Sequence, residues 1–495
     1  MQEENLVAPK PLPEVPNEEP SLKYLLETAG VATTVSYMGQ KTLAQLCQEE
    51  GVPLLNFLLA MAMPPHEQST LPSTQSVRDS HFQDILWLPT RKWEEWKRAY
   101  LKELESLRAR KVFKLTDLPK DRKVIKNRCV FDIKQDSRKK ACLVAKGFLQ
   151  VEGIDFNEIF SHVVHFETVR LMLALSALED WYIEALDVKT AFLYGKLDEE
   201  IYMHQPEGFK LKGQEHKVLR LHRALYSLKQ ATLLWWRELE ASMKRLGFGC
   251  MSSDVGVFFT KKEGQLIIAV VYVDDALFFG KNKEAIKKVK KTFMDIWECR
   301  DLGEAREFLR MKIRHEGKKI FLDQANYLKT VVMHFGMSNA WGATTPLPAG
   351  YVLFKSKEQC TPEFRKTYQS IIGSLLYIML GTRPDITYAM TKLAQFAANP
   401  LKDHMSKAQY ICCYLNSTPN YSLVYDGSGD EGVIAFTDSD WAADPIKRRS
   451  ITGYFFKLAG GIFSWQSRAQ KTVALSSTEA EYMALSDCSR KAIWI

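Results

Sequence analysis

Between Arg91 and Arg108 the large apolar side chains fall at Trp93, Trp96, Tyr100, Leu104 and Leu107. Steps of three and four predict an amphipathic helix with one face on a core. Downstream, apolar runs predict strands over 128–133, 142–144 and 183–187, and helices over 168–178 and 225–246. Residues 266–280 are apolar on both sides of Asp274 and Asp275. That pattern predicts two strands joined by a tight turn at the aspartates, because Asp tolerates turn conformations. A basic helix over 281–291 and a helical region over about 320–425 follow. Residues 433–437, 453–458 and 461–465 then read as three consecutive strands, before a helix from Ser477. The order is α+β.

The length of 495 residues allows about three to four domains. With 46% hydrophobic and 25% charged residues, most of the chain can bury a core. Nine cysteines fit neither a disulfide framework nor a zinc pattern, which points to a reducing compartment. The most lipid-like stretch, 54–63, is too short to span a bilayer and contains Asn56. Charge is uneven. Residues 1–85 carry 4 basic and 11 acidic side chains, with five prolines in the first 20 residues, and read as an extended acidic linker. Residues 108–146 carry 14 basic and 4 acidic side chains. Such a segment suits a polyanion, since neutralising phosphates releases counterions; a solvated charged face is the alternative.

Adjacent carboxylates in an apolar hairpin repel each other and lose hydration unless a cation neutralises them. An Asp-Asp pair in a turn is by itself ordinary. Asp187 ends a second apolar strand, and a pair plus a single Asp at strand ends can hold two Mg²⁺ ions for in-line nucleotidyl transfer.

These residues carry a resemblance. Asp187-Val188-Lys189-Thr190-Ala191-Phe192-Leu193-Tyr194-Gly195 and Tyr272-Val273-Asp274-Asp275 resemble the polymerase motifs of copia-type retrotransposon reverse transcriptases. Val144-Ala145-Lys146-Gly147-Phe148, Leu225-Tyr226 with Leu228-Lys229-Gln230-Ala231, and Arg383-Pro384-Asp385-Ile386 fall in the family's order, so the resemblance runs from about Trp93 to the end. It implies a right-hand polymerase of fingers, palm and thumb, with Asp187, Asp274 and Asp275 as catalytic ligands of Mg²⁺, or of Mn²⁺ in its place. It implies that Phe192 gates against a ribonucleotide 2′-hydroxyl and that Tyr272 and Gln230 lie in substrate-contacting segments. Lys134, Lys140 and Lys146 would meet the incoming triphosphate. Plainer readings are core packing for Phe192, a helix surface for Gln230 and solvation for each lysine.

Phe436-Thr437-Asp438-Ser439-Asp440-Trp441 and Ser476-Ser477-Thr478-Glu479-Ala480-Glu481-Tyr482 resemble the ribonuclease H domain of the same polyproteins. Asp438 and Glu481 match its metal-binding carboxylates, whereas Glu479 reads as an acidic helix start. The family's domain continues to a further Asp, so a truncated, inactive ribonuclease H-like α/β domain is expected here. The resulting division is 1–85 linker, 86–320 fingers and palm, 321–425 thumb and connection, and 426–495 ribonuclease H-like. The resemblance implies as partners an RNA template, a DNA primer, their RNA–DNA hybrid and deoxynucleoside triphosphates, with no membrane. It implies a cytoplasmic, particle-borne location with access to the nucleus. Several residues depart from the family: Cys142 replaces a usual Arg, Ser227 and Arg310 a usual Gly, Thr232 and His162 a usual Pro, and Leu233 a usual Arg. These leave open a decayed copy that only binds nucleic acid, or an unstable product.

Overall fold

The computed structural model describes residues 90–133, 139–161, 163–262, 264–354, 358–429, 432–444 and 447–495. The expected linker 1–85, Lys134 and His162 lie outside the described residues. Helix α1 (Thr90–Ala109) buries Trp96, Tyr100, Leu104 and Leu107, as the spacing predicts. After β1 (Phe113–Thr116) and β2 (Val124–Ile125), β3 (Asn127–Ile133) and β4 (Lys139–Ala145) form an antiparallel hairpin. Phe131 of that hairpin takes the ring edges of Trp96 and Tyr100.

Helix α2 (Phe166–Glu179) leads into β5 (Tyr182–Val188), β6 (Lys196–Met203) and β7 (Val218–Arg223). Strands β1, β7, β6 and β2 make one small sheet in that order. Next come α3 (Ala231–Arg245), β8 (Gly249–Cys250), β9 (Val257–Lys262), β10 (Gln265–Tyr272), β11 (Asp275–Gly280), α4 (Lys283–Ile296) and β12 (Cys299–Glu304). They build the central sheet, ordered β12-β5-β11-β10-β9-β8. Strands β10 and β11 are apolar over most of their length because both faces of the sheet are covered. Ala185, Leu277 and Val270 join a core under α2, whereas Leu186, Ala276 and Val271 join one with Trp235, Leu239 and Phe293 of α3 and α4.

Strands β13 (Glu307–Phe308), β14 (Met311–Glu316) and β15 (Lys319–Asp323) precede α5 (Ala325–His334), α6 (Pro362–Gly381), α7 (Thr387–Ala394) and α8 (Lys402–Ser417). Strand β16 (Leu423–Asp426) then returns to pair with β15. The last segment is a meander, β17 (Ile434–Asp440), β18 (Ile451–Leu458) and β19 (Gly461–Ala469), closed by α9 (Ser477–Trp494). No helix of the described residues is long and apolar enough to cross a membrane.

Three expectations are revised. The helix expected from 225 begins at Ala231, because Ser227 takes φ +65° and residues 226–230 form a turn. The helical middle contains β15 and β16, whose partners lie about a hundred residues apart and leave no local pattern. The turn residue with the left-handed backbone is Val273 (φ +56°) and not an aspartate; Asp275 already belongs to β11.

The last segment is continuous with the rest. Tyr454, Phe456, Phe463, Trp465 and Cys488 share one core with Ile183, Leu277 and Phe279 of the central sheet. Charge is buried in the same seam. Arg170 of α2 lies 3.9 Å over the Trp465 ring and donates from Nε to the Phe463 carbonyl at 2.6 Å and from Nη1 to the Gly381 carbonyl at 2.9 Å. Glu167 accepts from the Ser464 hydroxyl at 2.8 Å and from Lys491 of α9. Burial pushes the Glu167 carboxyl up, but the Lys491 charge, its hydrogen bonds and Arg170 outweigh burial and hold it below its ordinary value.

Two predictions follow from this packing. Lys491→Met removes the principal cation of buried Glu167, leaving Arg170 alone to offset burial, and lowers stability at pH 7 by about 3 kcal/mol in urea unfolding. A carboxylate held low contributes stability above its unfolded value and loses it as pH falls, so the deficit shrinks below about pH 4. The second concerns Ser227 and Arg310, where the resemblance implies Gly and the backbone is left-handed, φ +65° and +59°. Ser227→Gly relieves about 1–2 kcal/mol of strain against a smaller entropic cost, raising stability by roughly 0.5–1 kcal/mol. A lower urea midpoint for Ser227→Gly is the contrary result.

Candidate active site

Antiparallel pairing sets the site. Asp275 on β11 stands directly across from Asp187 on β5, and on the outer sides of this pair lie Arg300 of β12 and Tyr272 of β10. All four sit at one end of the central sheet, on the face that carries Ala185 and Leu277. Cross-strand neighbours have Cβ atoms about 4.5–5.5 Å apart, so two carboxylates in register repel. Asp274, on the turn, adds a third. Burial first, then the charges of Asp274, Asp187 and Glu307, push the Asp275 carboxyl up to about 7. Every charge that acts on Asp275 raises its carboxyl and no cation offsets them there, whereas Asp187 has Arg300 across from it on β12.

The turn is held from two sides. The Val188 amide donates to the Asp274 carbonyl at 2.7 Å, and the Trp235 indole donates to the Val273 carbonyl at 2.6 Å. Beyond β5, Lys189 and Arg110 both donate to the Glu298 carboxylate, and the Lys189 amide donates to the Glu298 carbonyl at 2.8 Å. That anchors the chain leaving Asp187. It then makes the 3₁₀ turn Ala191–Tyr194, which presents Phe192 half-buried, edge-on to Tyr226 at 6.0 Å between centroids. Tyr226 feels the charge of Asp274 and lies in the electrostatic neighbourhood of Cys142, and its carbonyl accepts from the Ala145 amide at 3.0 Å. The hairpin β3–β4 is thereby attached beside the carboxylates.

The other expected residues fall as follows. Lys140 is exposed on β4, Lys146 is half-buried just after it, and Lys134 lies outside the described residues. Gln230 is 1% exposed and does not sit on a helix surface. Its carbonyl oxygen accepts from Gln150 at 3.0 Å, and its amide donates to the Asp155 carbonyl at 2.8 Å and to Glu199 at 3.2 Å. In this arrangement it ties the 147–160 loop to the start of α3. Asp438 is exposed on β17, and the Glu481 carboxylate reaches its strand by accepting from the Ser439 amide at 3.3 Å. Glu479 is a cap: its carboxylate accepts from the Leu475 amide at 2.6 Å, while its own amide donates to the Ser476 hydroxyl at 3.1 Å.

Glu307 and Trp235 were not singled out in the sequence. Glu307 comes from the two-residue strand β13, which has no periodic signature. Trp235 lies within an apolar helix face, and only its indole contact distinguishes it.

Hard oxygen donors and the like charges gathered on Asp275 suit a divalent cation. Among the described residues no three His, Cys, Asp or Glu side chains already close on one point. An open carboxylate cluster of this kind suits Mg²⁺, which commonly takes one or two carboxylates and fills its shell with water and substrate phosphates.

In metal-free buffer the ionised Asp275 opposes folding. A carboxyl raised in the folded state costs stability as pH rises from about 4 through about 7. Asp275→Asn removes that cost, so thermal unfolding at pH 8 shows a gain of roughly 1–3 kcal/mol, absent at pH 4. An equal gain at both pH values is the contrary result.

Residues 110–349, which include all three aspartates, match the family model described as reverse transcriptase (RNA-dependent DNA polymerase). The chain is 40% identical over 453 residues to the retrovirus-related Pol polyprotein from transposon TNT 1-94 of Nicotiana tabacum, an alignment covering 87% of this chain and 34% of the relative. It is 33% identical over 409 residues to the corresponding polyprotein from transposon RE1 of Arabidopsis thaliana, covering 81% and 28%. It is 31% identical over 306 residues to a transposon Ty5-1 protein of Saccharomyces cerevisiae, covering 61% of this chain and 98% of that protein. The chain thus spans about a third of the length of the plant relatives. With the aspartates in register at the sheet end and these relatives alongside, the chain belongs to the reverse transcriptase family of copia-type transposon Pol polyproteins.

Proposed function

We propose that the protein is an RNA-directed DNA polymerase that joins deoxynucleoside triphosphates to a DNA primer on an RNA template. The observation that carries this reading is the cross-strand pair Asp187 and Asp275 with Asp274 on the adjoining turn. In the reaction the primer 3′-oxygen bonds to the α-phosphorus, the bond from α-phosphorus to the bridging oxygen breaks, pyrophosphate leaves and the hydroxyl proton passes to solvent. Mg²⁺, with Mn²⁺ as a substitute, would supply charge neutralisation at the attacking and leaving oxygens. Asp187, Asp274 and Asp275 would hold it. Phe192, in its turn beside Tyr226, is suited to exclude a 2′-hydroxyl, and Tyr272 extends the same row of the sheet. Lys140 and Lys146, with Lys134 next to them in sequence, supply positive charge for the triphosphate. Gln230 holds the 147–160 loop, which follows Lys146, to the start of α3.

On this reading the central sheet with α2, α3 and α4 is the palm, α1 with β1–β4, β6 and β7 the fingers, and α5–α8 the thumb and connection. Strands β17–β19 with α9 are a ribonuclease H-like unit in which Asp438 and Glu481 are the matching carboxylates. A cytoplasmic, particle-borne enzyme with later access to the nucleus is the location this reading implies. One observation favours a second reading, hybrid binding without synthesis: Cys142 brings no cation to the neighbourhood of Tyr226 and Asp274, where the resemblance places an Arg.

Primer extension on an RNA template with deoxynucleotides and Mg²⁺ separates the two. The polymerase reading expects extension that falls at least about 100-fold in Asp274→Asn. A soluble protein that binds the hybrid with a steep salt dependence and extends nothing supports the second reading.

A further inference from the structure

We infer that Trp235 is a positioning residue for the polymerase carboxylates, acting by clamping a strained turn. The inference rests on the polymerase reading for its consequence in synthesis, and on geometry alone for the clamp. Val273 carries a β-branched side chain at φ +56°, a backbone region where its Cβ crowds the following carbonyl. Left to itself the turn between β10 and β11 would relax toward a less crowded conformation, and Asp274 would turn away from the pair that strand register holds together, Asp187 and Asp275.

Two hydrogen bonds oppose that relaxation. The Val188 amide, one residue beyond Asp187, donates to the Asp274 carbonyl at 2.7 Å and so ties the turn to the strand bearing the third carboxylate. The Trp235 indole donates to the Val273 carbonyl itself at 2.6 Å. Its direction is fixed in advance. Trp235 is 1% exposed, packs edge-on to Trp297 at 5.0 Å, and lies 5.9 Å from the Tyr194 ring. The Tyr194 hydroxyl in turn accepts from the Glu298 amide at 3.0 Å. An indole N–H is a donor only and cannot reverse its role, so this contact specifies one orientation of the Val273 peptide. Strain of this kind persists only where the surroundings over-determine the backbone.

The test is a double-variant cycle of Trp235→Phe, which keeps an aromatic ring and removes the donor, with Val273→Gly, which removes the strain. The first readout, amide hydrogen exchange over 186–193, needs no catalysis. Trp235→Phe is expected to speed exchange at Val188 about tenfold, and to do so no more than about threefold when Val273→Gly is already present. The second readout is primer extension, where Trp235→Phe is expected to lower kcat about tenfold with deoxynucleotide KM and hybrid affinity within about twofold. Unchanged Val188 exchange in Trp235→Phe overturns the clamp, as does an equal effect in both backgrounds. Faster exchange with unchanged kcat overturns the positioning role. If the parent protein makes no DNA, the polymerase reading fails while the exchange cycle still decides the clamp. Should Trp235→Phe lose its folded near-ultraviolet spectrum, Val273→Gly alone decides: its unfolding midpoint rises if the turn is strained, and a fall overturns the clamp.

Discussion

Repulsion between carboxylates at one end of the central sheet is the constraint on which the rest of the structure depends. Strand order puts Asp187 and Asp275 opposite each other, and the turn adds Asp274. Burial and these like charges push Asp275 far above the ordinary carboxylate range. Such an arrangement persists only if the scaffold around it is stable enough to absorb the cost. Both faces of the sheet are accordingly packed, one against α2 and one against α3 and α4. The same low-dielectric setting strengthens the attraction of the cluster for a cation and for the phosphates that arrive with it.

The scaffold is broader than the central sheet. Lys290 of α4 is buried between Glu184 of β5 at 2.8 Å and Asp301 of β12 at 2.5 Å, joining the two strands behind the site. On the other side the core under α2 extends into β18, β19 and α9, and Glu167 and Arg170 reach across to Lys491, Ser464 and Phe463. The close approach of backbones shows how tight this seam is: a Cβ on Gly461 would lie 2.4 Å from the Val424 carbonyl oxygen, and one on Gly427 1.8 Å from that of Ala177. The strands and helix of residues 432–444 and 447–495 therefore pack against the body that carries the aspartates.

Much of the site was legible because its chemistry breaks a strong local pattern. Two aspartates inside an otherwise apolar hairpin and one ending an apolar strand stand out wherever both faces of a sheet are buried. The helix α1 followed directly from its three-and-four spacing. Contacts made across long sequence separations were not legible. The opposition of Asp187 and Asp275 depends on β5 pairing with β11, about ninety residues away, and the indole of Trp235 meets a carbonyl 38 residues on. Short strands such as β13 carry no periodicity, so Glu307 was hidden. Backbone conformation left no periodic trace: the apolar spacing around 225 ran on as a helix, and only the Gly that the resemblance implies at Ser227 hinted at the left-handed turn that delays α3 to Ala231.

The most direct test of the proposal that these carboxylates bind metal is Mn²⁺ binding by the full chain with an RNA–DNA hybrid and a deoxynucleoside triphosphate, followed by electron paramagnetic resonance. Comparison of the parent protein with Asp187→Asn isolates one ligand while leaving the turn sequence unchanged. The account predicts that the substitution weakens Mn²⁺ binding at least about tenfold. Equal Mn²⁺ binding by the two proteins would contradict it.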